Sequence, residues 1–460
     1  MIRRPPRSTP SNSSAASDVY KRQEKVEIKE LYEVELIREL GLIEAVTIGI
    51  GGMIGGGIFT VIGLVVGIAG KFVLLSLVLC TFSALLTGYS YSALAEKYPS
   101  SGASYAYVKA GFGEFVGGFV AWLIWFSYIA SCSLYAVSFG QYMTYFVKSS
   151  WKIWSLFLIA VLTILNLKGA KKTGSVENIL VTAKVILLLL FAGAGFLFAA
   201  KYGLIQKLQD YVPNPTEVDF RFLNLILGSG LIFIAYEGFE LIATSAEELK
   251  NPRKNIKRAI YICIVVVSTI YLLVTLIALM VVDPAKLMSS EAPLAEAAEQ
   301  FMGSIGGILL GVGGLLATSS AFNASLYGSS RMMFALARDG LAPKKLVKLS
   351  EETRVPYINI LFTSFVITIL TLVGVLQEVA TLSSLFFLIT FFMVNLSAFR
   401  LSMEKTINSN ALFSMIALII IFIIVILVMS YLYTPLILTT FAVAVLSSFS
   451  ITFYMTKRKV

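Results

Sequence analysis

Apolar residues run along this chain in long blocks, and the charged residues collect between them. The blocks fall at 42–68, 72–95, 115–147, 152–168, 176–200, 223–248, 256–282, 304–338, 357–376, 379–399, 411–431 and 434–455. Each is close to or above the roughly 20 residues that carry a helix through bilayer hydrocarbon. The pattern predicts an all-α polytopic membrane protein with twelve transmembrane helices. Residues 284–302 are amphipathic and too short to span. They read as a helical cap on the outer face or as an ordinary loop.

Two blocks are interrupted at mid-length. In the first, Gly49, Gly51, Gly52, Gly55, Gly56 and Gly57 crowd into Gly49–Phe59 (GIGGMIGGGIF). Glycine is about 0.8–1 kcal/mol worse than alanine inside a helix. One reading is a helix that opens there, which at membrane depth requires burial in protein or a cavity to line. The other is a continuous helix whose small residues admit a close neighbour. On this stretch alone both stay open. The sixth block places Gly228, Gly230 and Gly238 with two acids, Glu237 and Glu240, in an apolar run. An intramembrane carboxylate costs roughly 2.5–3.5 kcal/mol on insertion scales and usually marks a pathway or a paired site. Interrupted helices at matching places in two halves point to an inverted-repeat transporter. Here the match is one of position, without residue-by-residue similarity between the halves.

Loop charge orients the chain. With the N-terminus in the cytoplasm, the loops and tail on that side carry 21 Lys and Arg against 7 on the other. Both termini are therefore expected in the cytoplasm, in the cell membrane. Residues 1–23 are rich in Arg, Ser and Pro and read as a non-native or disordered segment. Residues 24–40 read as a charged cytoplasmic helix. The core is expected over 41–400, with spans 1–10 in two repeats at about 41–201 and 222–400. Residues 401–460 hold spans 11 and 12 and a short tail.

Composition narrows the chemistry. The 460 residues are 57% hydrophobic and 14% charged, with mean hydropathy +0.83. Histidine is absent, which removes the commonest metal ligand and general base. Cys80, Cys132 and Cys263 lie singly in apolar blocks and suggest no metal site. With no nucleotide motif, redox, zinc and ATP-driven mechanisms are disfavoured, and no cofactor is expected. The net charge of +10 follows the loops, so nucleic acid is not an expected partner.

Four stretches carry a resemblance: Gly49–Phe59; Glu96–Tyr107 (EKYPSSGASYAY) with Gly111–Gly113 and Gly117–Trp122; Ala235–Glu240 (AYEGFE) with Glu247–Pro252 and Ile260; and Ser329–Gly340 (SSRMMFALARDG). In this order they resemble the amino acid–polyamine–organocation (APC) family of permeases over about residues 40–400. The resemblance implies a LeuT-type five-plus-five inverted repeat with two further helices. It also implies alternating access to a central amino acid site and no enzymatic chemistry. The substrate carboxylate would meet backbone N–H groups at Gly55, Gly56 and Gly57. Relatives often hold Ser where this chain has Gly56. The ammonium would meet carbonyls of Met53, Phe233, Ile234 and Glu237.

Lys184 is the one Lys or Arg well inside an apolar block. It could snorkel to the cytoplasmic edge, with Glu177 and Asn178 about two turns away. It could instead be a buried amine that exchanges a proton. The resemblance favours the second reading: proton-coupled members place a lysine here, where sodium-coupled relatives hold Na⁺. Its expected neighbours are Gly49 and Gly52 on the first helix and Thr318, Ser319 and Ser320 on the eighth. Glu240 reads as a gating or structural acid. For Glu237, cation selection, proton binding and simple capping by hydroxyls stay open. Tyr236, Phe233 and Phe239 could wall the pocket or merely pack; Asn323, Ser325 and Ser329 could line the path or bind neighbouring helices. The expected partners are an amino acid, protons and the lipid bilayer. The expected activity is proton-coupled amino acid uptake. An exchanger or sodium symporter of the same fold, and an amino acid-sensing receptor, are the alternatives.

Overall fold

The apolar blocks become helices because a backbone out of reach of water must satisfy its own N–H and C=O groups. The computed structural model describes residues 40–206, 221–353, 355–431 and 434–459. Residues 1–23 and all of the expected helix 24–40 except Leu40 lie outside the described residues.

In chain order the helices are α1 (Leu42–Met53), α2 (Ile62–Ala69), α3 (Val73–Lys97), α4 (Ser104–Phe112), α5 (Glu114–Phe146), α6 (Trp151–Leu167), α7 (Ala170–Lys201), α8 (Arg221–Ile232), α9 (Phe239–Thr244) and α10 (Pro252–Val281). They continue as α11 (Pro284–Ser289), α12 (Pro293–Arg338), α13 (Tyr357–Val373), α14 (Leu376–Met403), α15 (Ala411–Tyr431) and α16 (Pro435–Lys459). Among the described residues, nine helical stretches are long and apolar enough to cross a membrane. One of them, Leu42–Lys97, contains the first two apolar blocks. The α6 and α13 helices are shorter, with 17 residues each, near the lower limit for a span. The amphipathic stretch 284–302 is helical: it forms α11 and the first part of α12, which breaks from helical geometry at Gly303, φ 64°.

Burial separates an inner set of helices from an outer set. The most apolar part of Phe222–Thr244 is 100% buried, against 22% for Pro435–Lys457. An apolar helix with no outward face belongs to the interior of a bundle. The α7 helix is outward on one side, with Ile186, Leu190 and Leu197 exposed, and inward at Lys184, which has no exposed surface. At the end carrying the basic loops, Leu40 bridges to the segment after α9. Its N–H donates to Glu248 O at 3.0 Å, and Lys250 N–H donates to Leu40 O at 2.8 Å.

Candidate functional site

The first block does open. α1 ends at Met53, and Ile54 is extended (φ −79°, ψ 90°) before the chain resumes as a π-helical turn at Gly57–Val61. Glycine is required here for space. A Cβ on Gly55 would lie 2.5 Å from Ala321 Cβ, and one on Gly57 would lie 2.5 Å from Ala235 Cβ. Opening a helix frees carbonyls, and a free carbonyl in the interior needs a donor. Lys184 supplies two: its Nζ donates to Gly51 O at 2.9 Å and to Ile54 O at 2.6 Å. Tyr271, from α10, donates to Met53 O at 2.6 Å.

Lys184 is wholly buried and ends at the break rather than at the membrane edge. Its third bond goes to Ser320 Oγ at 2.8 Å. Ser320 donates in turn to Glu177 Oε1. Asn323 Nδ2 donates to Glu177 Oε2 at 3.0 Å, and Asn166 Nδ2 donates to Asn323 Oδ1 at 2.9 Å. Glu177, on the same helix as Lys184, is 7% exposed. Amine, hydroxyl, carboxylate and two amides thus form one buried chain across α6, α7 and α12.

Lys184 meets the first helix at Gly51, between Gly49 and Gly52, and the eighth block at Ser320. Of Thr318, Ser319 and Ser320, Ser320 alone bonds to it; Thr318 donates to Gly314 O and Ser319 to Leu315 O within their own helix. Gly49 faces Ile242 and Cys263, and Gly52 faces Gly238 and Leu241. The reason is helical phase. Gly49 and Gly52 are three apart and share a face, which is turned toward α9, α10 and Gly238. The carbonyls that reach the amine belong to Gly51 and Ile54.

The sixth block opens as well. A 3₁₀ turn at Phe233–Tyr236 follows α8, Glu237 is extended (φ −68°, ψ 151°), and α9 begins after Gly238 at φ 119°. Gly238 sits directly against the first break: a Cβ there would lie 2.4 Å from Met53 N. Its N–H donates to Glu240 Oε2 at 2.6 Å, so Glu240 caps the turn it belongs to. The Glu237 carboxylate accepts at Oε1 from Ser131 (2.6 Å) and Tyr135 (3.0 Å), and at Oε2 from Ser383 (3.4 Å). Ile234 N–H donates to Ser384 Oγ at 3.2 Å.

Tyr271 ties the two breaks together, because its hydroxyl also lies 3.0 Å from Ala235 O. One hydroxyl carries one proton, so the two carbonyls share it. Met53, Gly55, Gly57, Glu237 and Gly238 are therefore brought to one place, with Gly56 against Ser138 and Tyr135. Tyr236 is turned elsewhere: its hydroxyl bonds Leu77 O (3.1 Å) and Thr81 Oγ1 (3.0 Å) on α3. Phe233 and Phe239 pack on Phe391, with ring centroids 5.8 and 5.2 Å apart. Ser131, Ser383, Asn166 and Tyr271 were not singled out from the sequence, where each is an ordinary residue in an apolar block. Glu177 carried a signal: it precedes Lys184 by seven residues, which is two turns and the same face.

A cavity of about 370 Å³ lies away from the breaks, lined by Tyr98, Ser100, Tyr105, Lys109, Arg338 and Asp339. There Tyr105 OH donates to Asp339 Oδ2 at 2.5 Å, and Lys109 Nζ donates to the same oxygen at 2.6 Å. Burial pushes the Asp339 carboxyl up, but the hydrogen bonds from Lys109 and Tyr105 outweigh it and hold the group below the usual carboxylate range. Nearby, Arg331 pairs with Glu248 at 2.6 Å and stacks 3.6 Å over the Tyr327 ring.

A sequence profile described as amino acid permease matches residues 44–456. The chain is 31% identical over 375 residues to an uncharacterized protein of Methanocaldococcus jannaschii, covering 79% of this chain and 83% of the other. It is 27% identical over 398 residues to the branched-chain amino acid permease BcaP of Bacillus subtilis, covering 81% and 83%. It is 29% identical over 372 residues to the inner membrane transport protein YbaT of Escherichia coli, covering 79% and 84%.

Proposed function

The chain belongs to the amino acid permease family, and on that premise we propose that it takes up amino acids together with protons by alternating access. It is a multi-pass membrane transporter and not an enzyme. The proposed architecture is a LeuT-type core over residues 41–400, in which the breaks at Ile54–Gly55 and Phe233–Gly238 hold corresponding places in two inverted repeats. Residues 401–460 add two helices, for twelve spans in the cell membrane with both termini cytoplasmic.

In this reading the substrate carboxylate takes the N–H groups of Gly55, Gly56 and Gly57. These lie at the start of a resumed helix, where backbone donors and the positive end of the dipole favour an anion. The ammonium takes carbonyls of Met53, Phe233, Ile234 and Glu237. Met53 O already accepts from Tyr271, but a carbonyl has two lone pairs and can accept again. A side chain at any of these glycines would collide with Tyr135, Ser138, Ala235 or Ala321, so glycine keeps the backbone of the break free of its own side chains.

The observation that carries the proton reading is the seat of Lys184. Its ammonium is ringed by the carbonyls of Gly51 and Ile54 and the Ser320 hydroxyl. Carbonyl and hydroxyl oxygens are also the ligand type of hard cations, and the amine occupies the place with a charge it can give up. The test is uptake of each labelled standard amino acid into sodium-free proteoliposomes holding the purified protein. Accumulation driven by an inward proton gradient and abolished by a protonophore supports the proposal. Uptake that needs Na⁺, or that occurs only in exchange for internal amino acid, overturns proton coupling.

A further inference from the structure

We propose that Glu177 is the proton outlet of Lys184, with the Ser320 hydroxyl as the bridge between them. This deepens the proton-coupled reading above and rests on it.

Ser320 accepts from Lys184 Nζ at 2.8 Å and donates to Glu177 Oε1. A hydroxyl has one proton to give and lone pairs to receive, so the chain has a direction, from amine to carboxylate. Transfer breaks one N–H bond of the Lys184 ammonium and forms an O–H bond at Ser320 Oγ. The original Ser320 O–H breaks, and its proton forms a new O–H bond at Glu177 Oε1. The products are a neutral amine, a neutral carboxylic acid and a re-formed hydroxyl, which resets by rotation. An ion pair becomes a neutral pair. Both partners are almost free of solvent, and burial penalises the ion pair, which narrows the gap between the two states.

The surroundings hold Glu177 in place for this. Asn323 fixes Oε2 at 3.0 Å, and Asn166 fixes Asn323. Glu177 lies two turns, about 10 Å, nearer the start of α7 than Lys184. That is the end which loop charge assigns to the cytoplasm, and the next residues, Asn178 and Ile179, are exposed. Among the described side chains, the titratable groups acting on Lys184 are Glu177 on its own helix and the Cys263 thiol on α10, and the one acting on Glu177 is Lys184. Among the described residues, α1, α6 and α12 present to the pair the uncharged Gly51, Asn166, Ser320 and Asn323. Proton loss also reaches the substrate site: the neutral amine keeps its two N–H bonds to Gly51 O and Ile54 O but holds them without its charge, and a charge-assisted bond is the stronger kind.

The experiment compares gradient-driven uptake with counterflow exchange in proteoliposomes, using an equimolar mixture of the labelled standard amino acids. Counterflow returns the carrier without releasing its proton, so the ratio of the two rates isolates the outlet. Glu177→Gln and Ser320→Ala are each expected to lower that ratio about tenfold or more. Ser320→Thr, which keeps the hydroxyl, is expected to restore it. A ratio within about twofold of the unaltered protein in either Glu177→Gln or Ser320→Ala overturns the relay. If Glu177→Gln does not fold, Ser320→Ala decides alone. Lys184→Ala separates the two levels. Should it keep gradient-driven uptake, the proton-coupled reading itself fails. Should it lose that uptake while the other two variants keep theirs, the relay fails and the coupling reading stands.

Discussion

The two breaks in this bundle share Tyr271 but are otherwise held differently. The first is held from outside: its carbonyls at Gly51, Met53 and Ile54 are satisfied by Lys184 and Tyr271, which belong to α7 and α10. The second takes outside partners as well, Tyr271 on Ala235 O and Ser384 on Ile234 N–H, but adds bonds within its own turn. Gly238 takes a backbone angle that suits glycine, Glu240 caps the Gly238 N–H, and Glu237 N–H donates to Ile234 O at 3.3 Å. The charges differ too, with an amine at the first break and two acids at the second. A break held by borrowed donors changes when a donor changes its charge. On the proposed coupling, the first break is the one whose carbonyls answer directly to the charge of Lys184.

The largest effect is expected where the two breaks touch. Gly238→Val forces a branched side chain into φ 119° and sets its Cβ about where Met53 N lies 2.4 Å away. The left-handed conformation alone costs roughly 1–2 kcal/mol, and the backbone clash cannot be relieved by a rotamer. Size-exclusion of the solubilised protein is expected to show aggregation, and uptake to be lost. Gly113 is the control, since its φ is 87° but nothing lies within 4 Å of its Cβ position. Gly113→Ala should fold. Equal behaviour of the two variants would break the comparison.

Next in size is Tyr271→Phe, which removes the hydroxyl shared by Met53 O and Ala235 O. A buried group left unpaired costs about 1–3 kcal/mol. A lower melting temperature in detergent is expected, with uptake falling more than melting explains, because the tie between the breaks is gone. An unchanged melting temperature would say that the carbonyls find other donors.

Glu237→Gln sharpens the contrast between acids and amine. It removes a charge at the second break while its one amide oxygen keeps an acceptor for Ser131 and Tyr135, and Ser383 must turn to accept from the amide N–H. If Glu237 selects cationic substrates, arginine loses ground to alanine as a competitor for uptake; an unchanged preference removes the selectivity idea, and in either case the ratio of gradient-driven uptake to counterflow is expected to hold. Loss of that ratio would place coupling at the second break instead.

The smallest effect lies at the far cluster. Asp339→Asn removes partly exposed bonds to Lys109 and Tyr105, worth about 0.2–1 kcal/mol. The folded carboxyl sits below its unfolded value. Its stabilisation is therefore fully present above the ordinary aspartate range, near 3.9, and is lost as pH falls through the lowered folded value. Thermal unfolding followed downward in pH should converge for the variant and the unaltered chain. A gap that widens in acid would contradict this.

Much of this was legible in the sequence because the signals are local. Six glycines in nine positions cannot make a good helix, and the structure opens there. A lone lysine and two acids in apolar blocks stand out by composition alone, and all three are buried. Phase and partnership were not legible. Whether Gly51 or Gly52 turns its carbonyl to Lys184 depends on where the helix stops, a matter of one residue and about 100°. Glu177 looked like a surface group near the membrane edge, because nothing local announces that Ser320 and Asn323 cover it. Tyr271 is one of 21 tyrosines, and its role exists only through two segments far away in the chain.

The most direct measurement is amino acid uptake by Lys184→Ala in sodium-free proteoliposomes, with and without an inward proton gradient. The account predicts that the gradient no longer accelerates uptake, while the protein stays folded by size-exclusion. Undiminished gradient-driven uptake would contradict it, since the first break would then answer to protons without its amine.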